Sequence, residues 1–413
     1  MSDPTSNDLA AREQQGWVRA PLARFLTLNL ETVDVDPDQS YPTVGVLNRG
    51  RGLLYRDPVA GSSTSYKKLN RIGPGLLVYS RLKAFEGAIT VTPADLSESF
   101  ASQEFPTFSF ASNANPDFFR ILTTTQRMWD ALQGASKGMG GRRERVKPAD
   151  FLNIVMDIPP LPVQERIVEV IGAVDEQTAA LDSEASTARR FLDMVLAEHF
   201  VAAGGEPHRI VDLCSHVVGG VWGSPAGEGE VDRLALGPRI YTPGTSAFVT
   251  DGSPVRSFTS KQADTRTVRE QDIILERSGG SPEQPVGRVA IAGPGLEPCV
   301  PTDFQRLLRV DPEKALPRYV FWRLRHDWAS GLTQNYSRRT TGITNLSVKE
   351  YIAREVAVPS RDEQARLVET AEAVDAPVVA LRAEAARLRQ VRAGLLSGLL
   401  DRTINIEPAE QEV

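Results

Sequence analysis

The side chains most able to do chemistry in this chain are its clustered bases. Lys137, Arg142, Arg143, Arg145 and Lys147 crowd together with Glu144 as the opposing acid, and Gly138, Gly140 and Gly141 leave that backbone pliable. A second cluster, Asn335-Tyr-Ser-Arg-Arg-Thr-Thr-Gly-Ile-Thr-Asn345, offers Arg338 and Arg339 to phosphates or guanine. Its Thr340, Thr341 and Asn345 are suited to base edges. Arg81 with Lys83, Lys67 with Lys68, and Arg277 with Ser278 are further candidates. These residue types bind polyanions and read hydrogen-bonding edges. A charge run is more often only a solvated face, so the place of these runs in the fold decides between the two.

Catalytic patterns are missing. No Gly-x-x-x-x-Gly-Lys-Ser/Thr loop is present to cradle a nucleotide triphosphate. Gly73-Pro-Gly75 and Gly293-Pro-Gly295 lack dinucleotide-site spacing and are expected to be turns. No Asn/Asp-Pro-Pro-aromatic tetrapeptide occurs, as methylation of a base amino group would require, and Pro159-Pro160 instead opens a helix. Cys214, His216 and His208 are too sparse for zinc, and no nucleophile motif frames any Ser, His and Asp. Glu228 and Glu230 sit in an acidic, Gly-rich loop and are expected to be solvated. The expectation is a chain with no catalytic, metal or cofactor site of its own.

The positioning elements emerge from a repeat. Pro159–Leu196 and Pro359–Leu396, offset by 200 residues, share fourteen identities in 38 gapless positions. The identities include Pro159/Pro359, Gln164/Gln364, Arg166/Arg366, Glu169/Glu369 and the triplets Ala173-Val174-Asp175 and Ala373-Val374-Asp375. In the first copy Ile167, Ile171, Val174, Thr178, Leu181, Ala185, Ala188, Leu192 and Val195 alternate spacings of four and three. The second continues Leu367, Ala371, Val374, Val378, Leu381, Ala385, Leu388, Arg392, Leu395 and Leu399. Such a heptad seam predicts two helices of about 35 residues, on the order of 50 Å each, burying their seams against one another. Pro377 should kink the second.

Between the helices lie two Gly-, Pro- and aromatic-rich segments, Trp17–Ile158 and Glu206–Val358, with short strand-like runs such as Gly75–Tyr79 and Asp272–Leu275. Weaker parallels link them. Asn115-Pro-Asp before a helix over Phe118–Leu132 resembles Asp311-Pro-Glu before a helix over Tyr319–Trp328, and a flexible basic stretch precedes Asp150-Phe151 and Glu350-Tyr351. The expected class is α+β, two mixed α/β domains separated by two long helices pairing as an antiparallel coiled coil, a pseudo-twofold repeat of about 200 residues. The divisions are a polar arm (1–16), first domain (17–158), first helix (159–205), second domain (206–358), second helix (359–402) and acidic tail (403–413).

The net charge of −6 argues at first against a nucleic-acid partner. Divided by segment, however, the two domains carry +3 and +1, while the helical regions carry −5 and −3 and the first sixteen residues −2. The basic charge therefore sits in the two globular domains. Two cysteines exclude a disulfide framework and fit a reducing cytoplasm; with neither a signal peptide nor a membrane span legible, a cytoplasmic protein is expected.

Ile158-Pro-Pro-Leu-Pro-Val-Gln-Glu-Arg-Ile-Val168 and Val358-Pro-Ser-Arg-Asp-Glu-Gln-Ala-Arg-Leu-Val368 resemble the start of the repeated helices in specificity subunits of type I restriction-modification systems. Softer similarities are Tyr41-Pro-Thr-Val-Gly45, Lys67-Lys68-Leu69, Gly75–Val78, Val218-Gly-Gly220 with Gly223-Ser-Pro225, and Thr344-Asn345-Leu346. The resemblance covers residues 17–402; the first domain departs from it in lacking the Gly-Gly…Ser/Thr-Pro opening. It implies a non-catalytic phage-defence subunit with two target-recognition domains, each reading half of a split, asymmetric sequence in double-stranded DNA, with the helices as a ruler. It also implies two methyltransferase subunits and restriction/translocase subunits as partners, which alone would carry S-adenosylmethionine, ATP and Mg. By analogy Arg166, Glu169, Arg366 and Glu369 are the expected docking positions. The competing reading is a coiled-coil adaptor joining two ligand- or protein-binding domains; a self-contained nuclease or methyltransferase conflicts with the missing motifs.

Overall fold

The computed structural model describes residues 16–136, 145–202, 204–241, 246, 248–281, 284–340 and 343–406. These form two compact units. One contains the described residues up to Asp175 and from Gln390 onward; the other runs from Glu176 to Arg389. Both boundaries fall inside the long helices, Leu161–Ala202 and Arg361–Leu400. Each unit thus holds a mixed domain with the start of one long helix and the end of the other.

In the first unit, strand Val18–Pro21 pairs antiparallel with Val155–Ile158, Val18 facing Ile158, so the domain closes immediately before the first long helix. A four-stranded sheet follows in the order Leu26–Leu28, Thr107–Phe110, Leu77–Tyr79, Ile89–Val91. The second unit repeats this plan. Glu206–Arg209 pairs with Glu355–Val358, and a sheet runs Cys214–Gly219, Gln305–Val310, Ile273–Glu276, Val289–Ile291. Burial explains the constancy: Leu77, Tyr79, Phe108, Ile273, Leu275 and Leu308 are all inaccessible.

The second sheets differ. The first unit has five strands, ordered Glu31–Asp34, Lys68–Ile72, Ser99–Ala101, Ser40–Val46, Leu53–Ala60. The second has four, ordered Ser224–Pro225, Val255–Phe258, Val231–Leu236, Cys299–Pro301. A parallel pair is common to both, Ser40–Val46 with Ser99–Ala101 and Val231–Leu236 with Cys299–Pro301. Around it the strands have been rearranged.

The helix seams are buried as the heptads require. Ile167 and Ile171 join Leu396, Leu399 and Leu400 in the core of the first unit, so the start of one helix lies with the end of the other. In the second unit Leu192 and Leu196 join Leu367 and Ala371. Polar pairs bridge the helices within each unit: Asp175 with Arg392 at 2.5 Å in the first, and Asp182 with Arg389 in the second. With Arg189 facing Asp375, partners on the second helix fall in number as those on the first rise, so the pairing is antiparallel. The repeated aspartates have different surroundings. Asp175 is half exposed, whereas Asp375 is buried beside Arg325 at 3.4 Å, and burial raises its carboxyl above the usual range. Pro377 does not break its helix: it and Ala373, whose carbonyl would have received the missing N–H, are on the exposed side.

Two sequence expectations need correction. Phe118–Leu132 is two helices, Pro116–Leu122 and Gln126–Ala135. Thr123, Thr124 and Thr125 each donate a hydroxyl to the carbonyl three residues back, at 2.7 Å, and Thr125 then caps the next helix. The counterpart of Asn115-Pro116 is Leu316-Pro317 rather than Asp311-Pro312, because these two pairs open the equivalent helices Pro116–Leu122 and Pro317–Ala329. In the basic stretch before Glu350-Tyr351, Ser337–Thr340 pairs antiparallel with Ile343–Leu346, as described below.

One contact recurs at both helix starts. The Gln164 side chain, inaccessible to solvent, accepts from the Asn115 N–H (2.8 Å) and donates to the Pro159 and Asn113 carbonyls (2.8 and 3.1 Å). Gln364, equally buried, accepts from the Leu316 N–H and donates to the Pro359 carbonyl, both at 2.8 Å. Replacing Gln164 or Gln364 with Ala strands buried backbone groups and should cost about 1–3 kcal/mol by denaturant unfolding. Exposed Glu165→Ala should stay within about 0.5 kcal/mol of the parent.

Candidate nucleic-acid interface

In the second unit, strand pairing gathers five of the sequence candidates, Ser278, Arg338, Arg339, Thr340 and Asn345, with Arg277 beside Ser278. Ser278–Gly280, Ile343–Leu346 and Ser337–Thr340 form a three-stranded sheet in that order. Ser278 lies opposite Asn345, and Asn345 opposite Arg338. The Ser278 hydroxyl donates to Asn345 Oδ1 at 2.6 Å, and the Arg277 carbonyl accepts from Leu346 N–H at 2.7 Å. Arg338 is exposed and meets Glu350 at 2.5 Å. Arg339 and Thr340 lie on the same strand by register, while Thr341 is outside the described residues. The arrangement is an antiparallel ribbon carrying Arg, Ser and Asn, the types that contact phosphates and base edges.

The first unit has the same backbone joint with different side chains. Arg81 takes a hydrogen bond from Val146 N–H on its carbonyl (3.1 Å) and gives its own N–H to the Glu104 carbonyl (2.9 Å). Arg277 correspondingly accepts from Leu346 and donates to Phe304. Glu104 receives Arg145 at 3.1 Å and Arg81 at 4.0 Å, holding two guanidinium groups beside each other. Lys83, paired with Glu86 at 3.7 Å, lines with Glu104 a cleft of about 390 Å³. Lys68 is set apart on its strand, facing Asp34 at 3.4 Å, and neither it nor exposed Lys67 lines the cleft. Lys137, Arg142 and Arg143 lie outside the described residues.

The same cleft is lined by Asn48, Arg51, Arg56 and Tyr66, none of which stands out in the sequence. Arg56 lies on Leu53–Ala60, an edge strand whose Leu54 and Tyr55 remain exposed, and no local motif marks it. An edge strand with apolar and aromatic side chains in solvent is a surface awaiting something.

Of the docking candidates, Arg166 and Glu169 pair on the first long helix at 2.5 Å, and Arg366 and Glu369 are exposed on the second. Arg366 lines a second groove, of about 490 Å³, with Glu198, His199, Glu363 and Thr370. Burial lowers the His199 pKa, against the opposing pull of Glu363. Phe191, Met194 and Val201 project from the same helix into solvent. Among the described residues no helix is long and apolar enough to cross a membrane.

No family model and no curated protein matches the sequence. Solved structures do match in fold. A chain from a study of complex assembly and conformational transition of the type I R-M system superposes with a TM-score of 0.53 at 18% identity, over 93% of this chain and 97% of that one. The type I restriction-modification S subunit from M. genitalium gives 0.54 at 12% identity, covering 98% and 99%. The HsdS subunit from Thermoanaerobacter tengcongensis is matched more loosely, with a TM-score of 0.38 at 19% identity over 93% and 96%. The chain has the fold of a type I specificity subunit across nearly its whole length.

The Ser278–Asn345 contact is expected to order the ribbon. A double-mutant cycle with Ser278→Ala and Asn345→Ala, followed by denaturant unfolding, should give a coupling of about 1 kcal/mol.

Proposed function

We propose that this chain is the DNA-recognition subunit of a type I restriction-modification complex. In this reading each domain reads one half of a bipartite, asymmetric target, and the chain itself catalyses nothing. The observation that carries it is the repeated backbone joint at Arg81 and Arg277, which puts a basic, hydrogen-bonding surface at the same topological place in two domains of one chain. A homodimer with such surfaces would read a palindrome; a duplicated and diverged chain reads two different half-sites.

The antiparallel helices act as the ruler across an unread spacer. Their exposed faces, with Arg166, Glu169, Arg366, Glu369 and the projecting Phe191, Met194 and Val201, suit protein partners: two methyltransferase subunits and, in the fuller assembly, restriction/translocase subunits. S-adenosylmethionine, ATP and Mg belong to those partners. The acidic helices keep DNA on the domains, and the complex works in the cytoplasm, where DNA is encountered.

The decisive experiment reconstitutes the methyltransferase complex and maps its modified sites. Exchanging Trp17–Ile158 for another first domain should change one half of the motif and leave the other; an unchanged motif sinks the proposal. In the same complex Arg338→Ala should weaken DNA binding about five- to tenfold and lower the slope of log affinity against log salt by about 1.

A further inference from the structure

Trp222 stands apart from the other tryptophans. Trp17 and Trp322 are buried, and the Trp129 and Trp328 indoles donate to the Thr123 and Pro285 carbonyls, each at 2.8 Å. Trp222 is 51% exposed, although a large aromatic surface is favourably removed from water. Its exposure is imposed by a rigid backbone. Gly220 N–H donates to the Gln305 carbonyl at 3.1 Å and Val221 N–H to the Pro301 carbonyl at 2.9 Å. A Cβ on Gly220 would fall 1.9 Å from the Thr302 carbonyl oxygen, and Gly223, at φ +73°, lies against Phe258. This tight fit fixes the segment and presents the indole outward.

The surroundings are cationic. The Arg256 guanidinium lies over the Trp222 ring, 5.4 Å from its centroid, and Phe304 meets the ring edge to face at 5.9 Å. The Phe304 carbonyl accepts from the N–H groups of Arg277 (2.7 Å) and Ser278 (3.1 Å), making Trp222 continuous with the ribbon described above. Arg306 lies along Gly219, and burial together with the Arg277 charge lowers its pKa, against the pull of Asp303. The Arg256 guanidinium therefore lies over an outward-facing ring whose aromatic neighbour, Phe304, is bonded through its carbonyl to Arg277. An apolar protein partner would not call for that charge; a nucleic acid supplies both the anions and the flat or methyl-bearing bases such a site fits.

We infer that Trp222 is a base-reading side chain for the half-site recognised by the second domain, with Arg256 and Arg277 on the adjoining phosphates. This rests on the DNA-recognition function proposed above. Arg256 covers part of the ring, so the base contact uses the surface left exposed. Phosphate contacts alone would not explain why an indole, rather than another polar residue, is held there.

The test uses the whole reconstituted methyltransferase complex with Trp222→Ala and Trp222→Phe, after domain exchange has assigned each half of the motif. Trp222→Ala should cut modification of the wild-type site about tenfold and relax a base position in the second-domain half, leaving the other half unchanged. Trp222→Phe, which keeps an aromatic face, should stay within about twofold of wild type. Unfolding midpoints of both variants should match the parent, since the side chain is on the surface. A Trp222→Ala complex that modifies the wild-type motif at the wild-type rate would overturn the inference, as would an equal loss at all sequences with no position relaxed. A wild-type complex that modifies no sequence-defined site would overturn the DNA-recognition function itself.

Discussion

A buried glutamine amide, once in each half of the chain, governs how each long helix leaves its domain. Gln164 and Gln364 each bind the backbone N–H of the residue before a helix-opening proline, and the carbonyl of the proline that precedes their own helix. An amide has both a donor and an acceptor, so one side chain can satisfy two buried backbone groups facing opposite ways. Leucine would fill the space and satisfy neither; glutamate would bring an uncompensated charge. With that joint fixed, the direction of the helix follows, and its first apolar residues, Ile167 and Ile171 or Leu367 and Ala371, enter the domain core.

What the repeat holds constant and what it varies suit the proposed division of labour. The strand that closes each domain, the four-stranded sheet and the glutamine joint are the same in both halves. The second sheets differ in strand number and order, and the surfaces near Arg81 and Arg277 differ in side chains. A scaffold that tolerates rearrangement at one side without losing its core can carry two readers of different sequence. In the first domain an ion-paired arginine couple borders a cleft; in the second a hydrogen-bonded ribbon adjoins an exposed indole.

The helices were the most legible part of the sequence, because heptad spacing acts over many residues and tolerates a single Pro377. The repeat was legible in Gln164/Gln364, although the amide's bonding was not: its partners at 113, 115 and 316 lie about fifty residues away, and nothing local announces them. The Thr123–Thr125 break is not legible because three consecutive threonines weaken a helix without marking where it ends; their hydroxyls, turned back onto carbonyls, set that point. Of the candidate surface, Arg277, Ser278, Arg338 and Asn345 were visible by type, but only strand register brings them together. Arg51, Arg56 and Tyr66 carried no motif and became apparent through the cleft they line.

The central claim is that two paired helices set the distance between two half-site readers. Removing one heptad from each helix shortens the ruler by about 10 Å, on the order of three base pairs, and turns it by about 20°. Mapping the sites modified by the reconstituted complex carrying that paired deletion tests the claim most directly. The account predicts a shortened unread spacer between unchanged half-sites, or loss of modification; normal activity on the original spacing would contradict it.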